Sequence, residues 1–281
     1  RTWLPFSLPE FAVLRALAVV GAVTLLSAWG LNRAMRPLTH RVEVAITNWP
    51  SALEGLRIVQ LSDIHIGPIL TAKHADYLTR RANELEPDLV VITGDLVDGS
   101  AAHLAEEVRP FGQLRSSLGT YFVTGNHDFY SGAQSWCEVV EELGIKVLRN
   151  EHELVTRDGA SFALAGVDDH RGDPRAPASG EDLHAALADI PDACPTVLLA
   201  HDPATYKAAS RMGVDLQISG HTHGGQIWPF RYAVRLTTKW VAGLYREGRS
   251  QIYVSRGTGF WGPPLRVGAP AEITELIIRR A

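Results

Sequence analysis

The sequence predicts an α/β fold preceded by one long apolar helix, and three observations support this prediction. Residues 11–31 form an apolar segment. Five short aliphatic runs follow between residues 56 and 218, and runs of this kind are typical of buried strands. The 281-residue chain leaves enough length after the apolar segment for one large domain with its own core.

The apolar segment at residues 11–31 contains one charged residue, Arg15, and follows a flank at residues 1–10. About 20 helical residues, each adding about 1.5 Å, span a bilayer core of about 30 Å. We therefore expect a transmembrane helix that places the protein in the cell membrane, with Trp3 and Trp29 near the two interfaces. The alternatives are an apolar helix docked on the domain and a signal peptide, whose apolar core is usually only about 7–15 residues long.

The basic residues around this segment predict its orientation. Arg33, Arg36 and Arg41 follow the segment, whereas Arg1 precedes it and Arg15 lies near its start. Lys and Arg are enriched on the cytoplasmic side of membrane spans, so the domain that follows is predicted to be cytoplasmic. Because the chain begins with Arg1 rather than Met, we expect further sequence upstream. Residues 32–55 are interpreted as a juxtamembrane segment with a first strand, ahead of one domain at residues 56–281.

The five aliphatic runs all lead into polar motifs. The runs cover residues 56–61, 88–92, 121–123, 197–200 and 216–218. The motifs after them are Asp63-Ile64-His65, Gly94-Asp95, Gly125-Asn126-His127-Asp128, His201 and Gly220-His221-Thr222-His223. Ligands collect outside the carboxyl ends of strands in open α/β sheets. We therefore expect the motifs to meet in one site.

The residue types in these motifs suit two adjacent divalent cations with an acid group beside them, a recurring device for displacement at phosphorus. Asp63 and His65 are two residues apart, as are His221 and His223, so in extended backbone each pair would point to one side. The neighbours Asn126 and His127 would point apart. The glycines of the motifs permit tight turns and close approach of the backbone.

Each motif also has an ordinary interpretation. An Asp-x-His sequence occurs in many proteins without a metal, Gly-Asp after a strand is a common turn, and a lone histidine such as His201 is more often a core or surface residue. The two longer motifs are also compatible with loops. Five compatible strand endings in one order favour a metal site over five unrelated loops.

This series of motifs resembles that of the calcineurin-like metallophosphoesterase superfamily over roughly residues 56–279. Residues 219–226 and 255–261 resemble a narrower bacterial branch of membrane-associated phosphodiesterases and enzymes that cleave UDP-2,3-diacylglucosamine. The resemblance implies a four-layer α/β/β/α sandwich of two mixed sheets, and a metal-dependent hydrolase of phosphoric esters or anhydrides.

The same resemblance implies which residues bind metal. One cation would be held by Asp63, His65, Asp95 and His223, and the other by Asp95, Asn126, His201 and His221. Asp95 would bridge the two cations. No thiolate belongs to this set, so manganese, iron and zinc are all compatible, with manganese preferred.

His127 has no cation in this assignment, so it is free to stabilise the phosphoryl oxygens or to protonate the leaving oxygen. His127 and Asp95 are therefore the predicted catalytic residues. Asp98 and Asp128 are candidates for orienting imidazoles or bound water, although they are equally compatible with ordinary turn carboxylates.

Residues 226–246 interleave aromatic and basic side chains beside the last motif, from Trp228 and Phe230 to Tyr245 and Arg246. The stretch suits either a lip on anionic lipid headgroups or an irregular loop with solvated charges. The Pro- and Gly-rich patch from Gly166 to Gly180 is predicted to be a loop on the side of the site.

Together these features predict a membrane-bound hydrolase of a phosphodiester or pyrophosphate bond in a lipid-linked or nucleotide-sugar substrate. One alternative is a general or cell-wall phosphodiesterase that is merely anchored at the membrane. Another is a non-catalytic scaffold, which the full ligand set disfavours. The net charge of −4 provides no basic footprint for nucleic acid, so no nucleic-acid partner is expected.

Overall fold

The computed structural model describes residues 8–172 and 179–281. Trp3, most of the flank at residues 1–10 and the middle of the predicted loop at residues 166–180 lie outside the described residues. The described α-helices are α1 (Leu8–Met35), α2 (Ala72–Asn83), α3 (Ala101–Val108), α4 (Asn126–Tyr130), α5 (Ala133–Glu142), α6 (Leu183–Leu187), α7 (Tyr206–Ala209) and α8 (Arg231–Val234). Short 3-10 helices lie at Ser51–Leu53, Arg109–Gln113, Pro203–Thr205 and His223–Gly225.

The described strands form two mixed six-stranded sheets. The strands are β1 (Leu38–Ile46), β2 (Leu56–Leu61), β3 (Leu89–Thr93), β4 (Thr120–Val123), β5 (Lys146–Val147), β6 (Glu151–Arg157), β7 (Ala160–Gly166), β8 (Thr196–Leu199), β9 (Leu216–Ser219), β10 (Gly243–Glu247), β11 (Ser250–Val254) and β12 (Glu272–Arg280). The first sheet has the order β1-β12-β2-β3-β4-β5, and the second has the order β10-β11-β9-β8-β7-β6. Both contain parallel and antiparallel pairs.

Alternating residues of the strands bury two different faces. On β3, Leu89 and Val91 join Phe162, Val197 and other residues of both sheets in one cluster between the sheets. Val90 and Ile92, on the opposite face of the same strand, pack with residues of α2, α3 and α5. A further cluster lies between the second sheet and helices α6 and α7. The period of two along the strands thus produces the predicted α/β/β/α sandwich.

The five predicted strands are present as β2, β3, β4, β8 and β9, with ends within one residue of the aliphatic runs. The first three belong to one sheet and the last two to the other. The polar motifs therefore meet where the carboxyl ends of the central strands of both sheets lie side by side.

Helix α1 covers the predicted span and continues beyond it. Among the described residues, it is the one helix long and apolar enough to cross a membrane. Its side chains from residue 11 to residue 29 are exposed, whereas Gly30 and Ala34 are buried. The backbone N–H of Arg266 donates a 3.0 Å hydrogen bond to the Gly30 carbonyl. The last turns of α1 are thus docked on the domain, and β1 follows directly, paired with β12.

Candidate metal centre

Six acidic and histidine side chains form two neighbouring groups at the ends of the strands. Asp63, His65 and His223 form the first group, and Asp95, His201 and His221 form the second. Asp95 Oδ2 lies 3.2 Å from His201 Nε2 and 3.8 Å from His65 Nε2. One oxygen of Asp95 therefore faces both groups, a position compatible with a ligand shared by two cations.

In the first group, the donor atoms converge on one point. His65 Nε2 lies 3.1 Å from His223 Nε2, and Asp63 Oδ1 lies 3.4 Å from the same His223 nitrogen. Two imidazole nitrogens and a carboxylate oxygen in this arrangement suit a divalent cation of the Mn, Fe or Zn type.

The second group has the same character and includes an unpaired oxygen. His221 Nδ1 lies 3.2 Å from His201 Nε2. Within the described part of the chain, Asn126 Oδ1 is buried and has no hydrogen-bond partner. Because buried polar atoms are rarely left unpaired, this oxygen fits the role of a metal ligand. The residues present are thus compatible with a pair of divalent cations.

The backbone at five of these residues is left-handed, which differs from the extended backbone that the two-residue spacing suggested. Positive φ angles occur at Asp63 (51°), His65 (55°), Asp95 (51°), His221 (69°) and His223 (51°). The expectation of extended pairs was therefore wrong. The chain must leave each strand and turn within two or three residues, and unfavourable φ angles clustered in this way are typical of functional sites.

Two glycines let this turning backbone pack closely. A Cβ atom at Gly94 would lie 2.6 Å from His201 Nδ1, and Gly94 also has a φ of +79°. A Cβ atom at Gly220 would collide with Ser62 and Asp63. Any other residue at either position would displace a predicted ligand or its immediate neighbour.

The electrostatics at Asp95 and His201 favour a positive charge between them. Burial opposes charge on both groups, but the neighbouring histidines, with His201 foremost, hold the pKa of Asp95 below its ordinary value. Contact with Asp95 in turn raises the pKa of His201 well above its ordinary value, against the effect of burial. A cation bound at this point would supply the positive charge that the pair favours.

Arg266 is a buried residue of the site that the sequence motifs did not indicate. Its side chain is fully buried and lies 3.0 Å from His223 Nδ1, and it donates a 2.9 Å hydrogen bond to the His223 carbonyl. Burial and then the Arg266 charge lower the pKa of His223 well below its ordinary value. His223 is therefore neutral, the form in which imidazole binds metal.

Asp98 contacts two of the predicted site histidines through one oxygen. Asp98 Oδ1 lies 2.9 Å from His65 Nδ1 and 2.7 Å from His127 Nδ1. A carboxylate that binds one ring nitrogen fixes the other nitrogen as the one presented to a metal or substrate. These distances are compatible with the orienting role predicted for Asp98.

Asp128, the other candidate of this kind, is placed differently. Its carboxylate accepts hydrogen bonds from the backbone N–H groups of Asp95 (2.9 Å), Leu96 (2.9 Å) and Gly125 (2.7 Å). Burial, followed by the Asp95 charge, raises the pKa of Asp128 to about 7. Through these hydrogen bonds Asp128 holds the loop of Asp95 against the start of α4.

A groove of about 1110 Å³ opens beside the two groups. Five of the predicted site residues line it, namely Asp95, Asn126, His127, His221 and His223. Apolar residues line it as well, namely Ile227, Trp228, Pro229, Phe230, Ala233, Val234, Trp261 and Pro263. His170 and Arg171 also line the groove, so the described start of the predicted loop at residues 166–180 lies beside the site, as expected.

The fold and the two groups of candidate metal ligands are compatible with a metal-dependent phosphoesterase, and comparison with known proteins agrees with this class. The calcineurin-like phosphoesterase family profile matches residues 56–225. The chain therefore belongs to the calcineurin-like phosphoesterase family.

Relatives with the same domain are known from animals and bacteria. "Transmembrane protein with metallophosphoesterase domain" from Bos taurus is 43% identical over 97% of this chain and 64% of its own length. Its Danio rerio counterpart is 38% identical over 92% of this chain and 61% of its own length. "Uncharacterized metallophosphoesterase YkuE" from Bacillus subtilis is 30% identical over 92% of both chains. The chain thus spans about three fifths of the two vertebrate relatives and most of the bacterial protein.

Proposed function

We propose that this protein hydrolyses a phosphodiester or pyrophosphate bond in an amphiphilic substrate at the membrane, a lipid-linked molecule or a nucleotide sugar that carries acyl chains. The observation that supports this proposal best is the groove. Both predicted metal ligands and exposed aromatic residues line it, so it suits a substrate that carries a phosphoryl group and apolar chains.

In this proposal two divalent cations bind at the two groups. Asp63, His65, Asp95 and His223 hold the first cation, and Asp95, Asn126, His201 and His221 hold the second. Such a pair supplies an activated water nucleophile and neutralises charge on the phosphoryl oxygens. Manganese is our preferred metal, although the nitrogen and oxygen donors suit iron and zinc as well.

His127 acts as the general acid. Its ring lines the groove beside Asp95, and its Nδ1 atom is occupied by Asp98 at 2.7 Å. The Nε2 atom is therefore the one available to donate a proton to the leaving oxygen. Contact with Asp98 and Asp95 raises the pKa of His127 against the opposing effect of burial, which keeps the proton available.

The position of the groove relative to α1 supports a membrane substrate. Trp228 and Phe230, which line the groove, are 62% and 58% exposed. The N–H of Trp228 donates a 2.7 Å hydrogen bond to the Val267 carbonyl, and the neighbouring Arg266 N–H binds Gly30 of α1. One short segment thus contacts both the groove and the helix. We place the catalytic domain on the cytoplasmic side, because more arginines follow the span than precede it.

A comparison of substrates tests the proposal. The full chain, loaded with manganese in detergent, is assayed with UDP-2,3-diacylglucosamine, with the corresponding nucleotide sugar that lacks acyl chains, and with bis(p-nitrophenyl) phosphate. We expect a kcat/KM for the acylated substrate that is at least about tenfold higher than for the unacylated one, since an acyl chain buried in the groove adds binding energy. The His127→Ala variant serves as the control for contaminating activity.

Equal rates on the acylated and unacylated compounds would contradict an amphiphilic substrate. Cleavage of the small diester alone would favour the alternative, a general phosphodiesterase that is merely anchored at the membrane. Hydrolysis that persists unchanged in His127→Ala would reject the acid assigned above.

A further inference from the structure

A second cavity, remote from the catalytic groove, lies where α1 ends and α2 begins. Its volume is about 760 Å³. Arg33 at the end of α1, Arg36 in the turn after it and Leu38 at the start of β1 line the cavity, and α2 contributes Lys73, His74 and Arg81. None of the residues that line the catalytic groove lines this cavity.

The cavity has a strongly positive lining. Arg33, Arg36, Lys73 and Arg81 supply four cationic groups, and no carboxylate is present among the described residues that line the cavity. Arg81 pairs with Glu84 at 3.2 Å, outside the cavity. Within the part of the chain that the structure describes, Arg33, Arg36 and Lys73 have no carboxylate at ion-pair distance. Like charges brought together without counter-charges favour the binding of an anion.

His74 lines the same cavity and contains a buried, unpaired polar atom. The residue is only 7% exposed, and its Nε2 atom has no hydrogen-bond partner among the described residues. Burial lowers the pKa of His74 to about 4, so the ring is neutral near pH 7 and Nε2 is an unsatisfied polar group. Because the Nε2 atom is itself buried, a ligand in the cavity contacts other atoms of the His74 ring.

The position along α1 places the cavity at the level of lipid headgroups. The exposed part of α1 runs from residue 11 to residue 29, and about 20 residues of helix match a bilayer core of about 30 Å. Arg33 and Arg36 follow immediately, so they lie where the hydrocarbon ends and the phosphate groups begin. Leu38 and Ile69, at the same cavity, are 44% and 56% exposed and suit the apolar part of a lipid.

We propose that this cavity binds the phosphate headgroup of an anionic phospholipid from the leaflet in which α1 ends. The phosphate contacts Arg33, Arg36 and Lys73, while Leu38 and Ile69 lie against the glycerol and the first methylenes. Bound lipid at this point would hold α1 and α2 together and fix the angle between the span and the catalytic domain. The site is independent of the proposed hydrolysis and does not require metal.

Lipid retention in native mass spectrometry tests this site. The full chain is stripped of metal with a chelator, so that phosphate does not bind at the catalytic centre, and is titrated in detergent with dioleoyl phosphatidylglycerol or dioleoyl phosphatidylcholine. We expect one tightly retained phosphatidylglycerol per chain and at least about tenfold weaker retention of phosphatidylcholine.

Charge variants distinguish the cavity from general surface attraction. In Arg36→Gln/Lys73→Gln, retention of phosphatidylglycerol should weaken by about tenfold or more, since each juxtamembrane cation contributes about 1 kcal/mol of attraction to anionic lipid. The matched control Arg80→Gln/Arg109→Gln removes two cations from exposed positions outside the cavity and should bind like the wild type.

Unchanged retention in the cavity variant, or an equal loss in the control variant, would overturn the proposal. Displacement of the lipid by equimolar inorganic phosphate would also overturn it, because the site would then recognise free phosphate rather than a lipid. Unfolding midpoints equal to the wild type in all variants exclude loss of the fold as the cause.

Discussion

The Asp98 carboxylate and the His127 ring are joined by a 2.7 Å contact between Asp98 Oδ1 and His127 Nδ1. The same oxygen lies 2.9 Å from His65 Nδ1. One carboxylate thus orients both a predicted metal ligand and the predicted general acid. Because the two rings are held by one atom, their positions relative to each other are fixed across the site.

We expect Asp98→Asn to lower both kcat and metal affinity. The substitution keeps the size of the side chain but removes the charge that orients the two imidazoles. Loss of such a supporting carboxylate typically costs about 10–100-fold in activity or metal affinity. Steady-state rates on bis(p-nitrophenyl) phosphate and metal titrations measure the two effects. Asp158→Asn, at an exposed carboxylate, is the control, and wild-type values in Asp98→Asn would refute this role.

The aromatic residues that line the groove should determine the affinity for acylated substrates only. Trp228→Ala/Phe230→Ala removes two exposed rings that line the groove. Since each ring offers a large apolar surface, we expect KM for an acylated substrate to rise about tenfold or more, with little change for the small diester. Tyr232→Ala is a matched control, because Tyr232 is 57% exposed on α8 but does not line the groove. Equal effects on both substrates, or in the control, would be inconsistent with acyl binding.

Acid should destabilise the fold through His74. Its pKa is about 4 in the folded protein, below the ordinary value of 6.5, because burial excludes the charged form. The unfolded chain therefore binds the proton more readily, and stability is retained above about pH 6.5 and lost as the pH falls toward 4. At pH 5 this loss amounts to about 2 kcal/mol in the free energy of unfolding. No described carboxylate lines the cavity around His74.

Denaturant unfolding at pH 7 and pH 5 measures this effect. In His74→Phe the difference between the two pH values should shrink by about 2 kcal/mol relative to the wild type. His184→Gln, at an exposed histidine on α6, should leave the difference unchanged. An identical pH dependence in wild type and His74→Phe would show that His74 is not the group responsible.

Removal of the exposed part of α1 should release the protein from membranes without loss of chemistry. A variant lacking residues 1–25 retains Gly30 and Ala34, through which α1 is docked on the domain. We expect it in the soluble fraction, with hydrolysis of the small diester within about twofold of the wild type, because α1 lines no part of the groove. If the variant still sediments with membranes, another surface is sufficient for attachment. The candidates are residues 226–246 beside the groove and the cavity where α1 ends and α2 begins.

The strands and their polar ends could be predicted from the sequence because each depends on a contiguous run of residues. The run at residues 56–61 is buried on both faces, so its aliphatic composition alone indicates a strand, and Asp63 follows at its end. The pattern Gly-His-Thr-His likewise contains its ligands within four residues.

Contacts between distant residues were not predictable in this way. Arg266 lies 43 residues from His223, and no local pattern distinguishes it from a solvated arginine. The left-handed backbone at His221 and His223 depends on how tightly the loop packs against Ser62 and Asp63, which spacing does not reveal. The cavity between α1 and α2 arises only once β1 pairs with β12 and brings the end of the span against the domain.

The most direct test of the proposed centre is the manganese content of wild-type, Asp95→Ala and His127→Ala proteins, measured by elemental analysis beside their turnover of bis(p-nitrophenyl) phosphate. We expect about two ions per wild-type chain, loss of both metal and turnover in Asp95→Ala, and retained metal with turnover reduced about 10²–10⁴-fold in His127→Ala. Full metal content in Asp95→Ala, or loss of metal from His127→Ala, would contradict a dinuclear centre bridged by Asp95 with His127 as its acid.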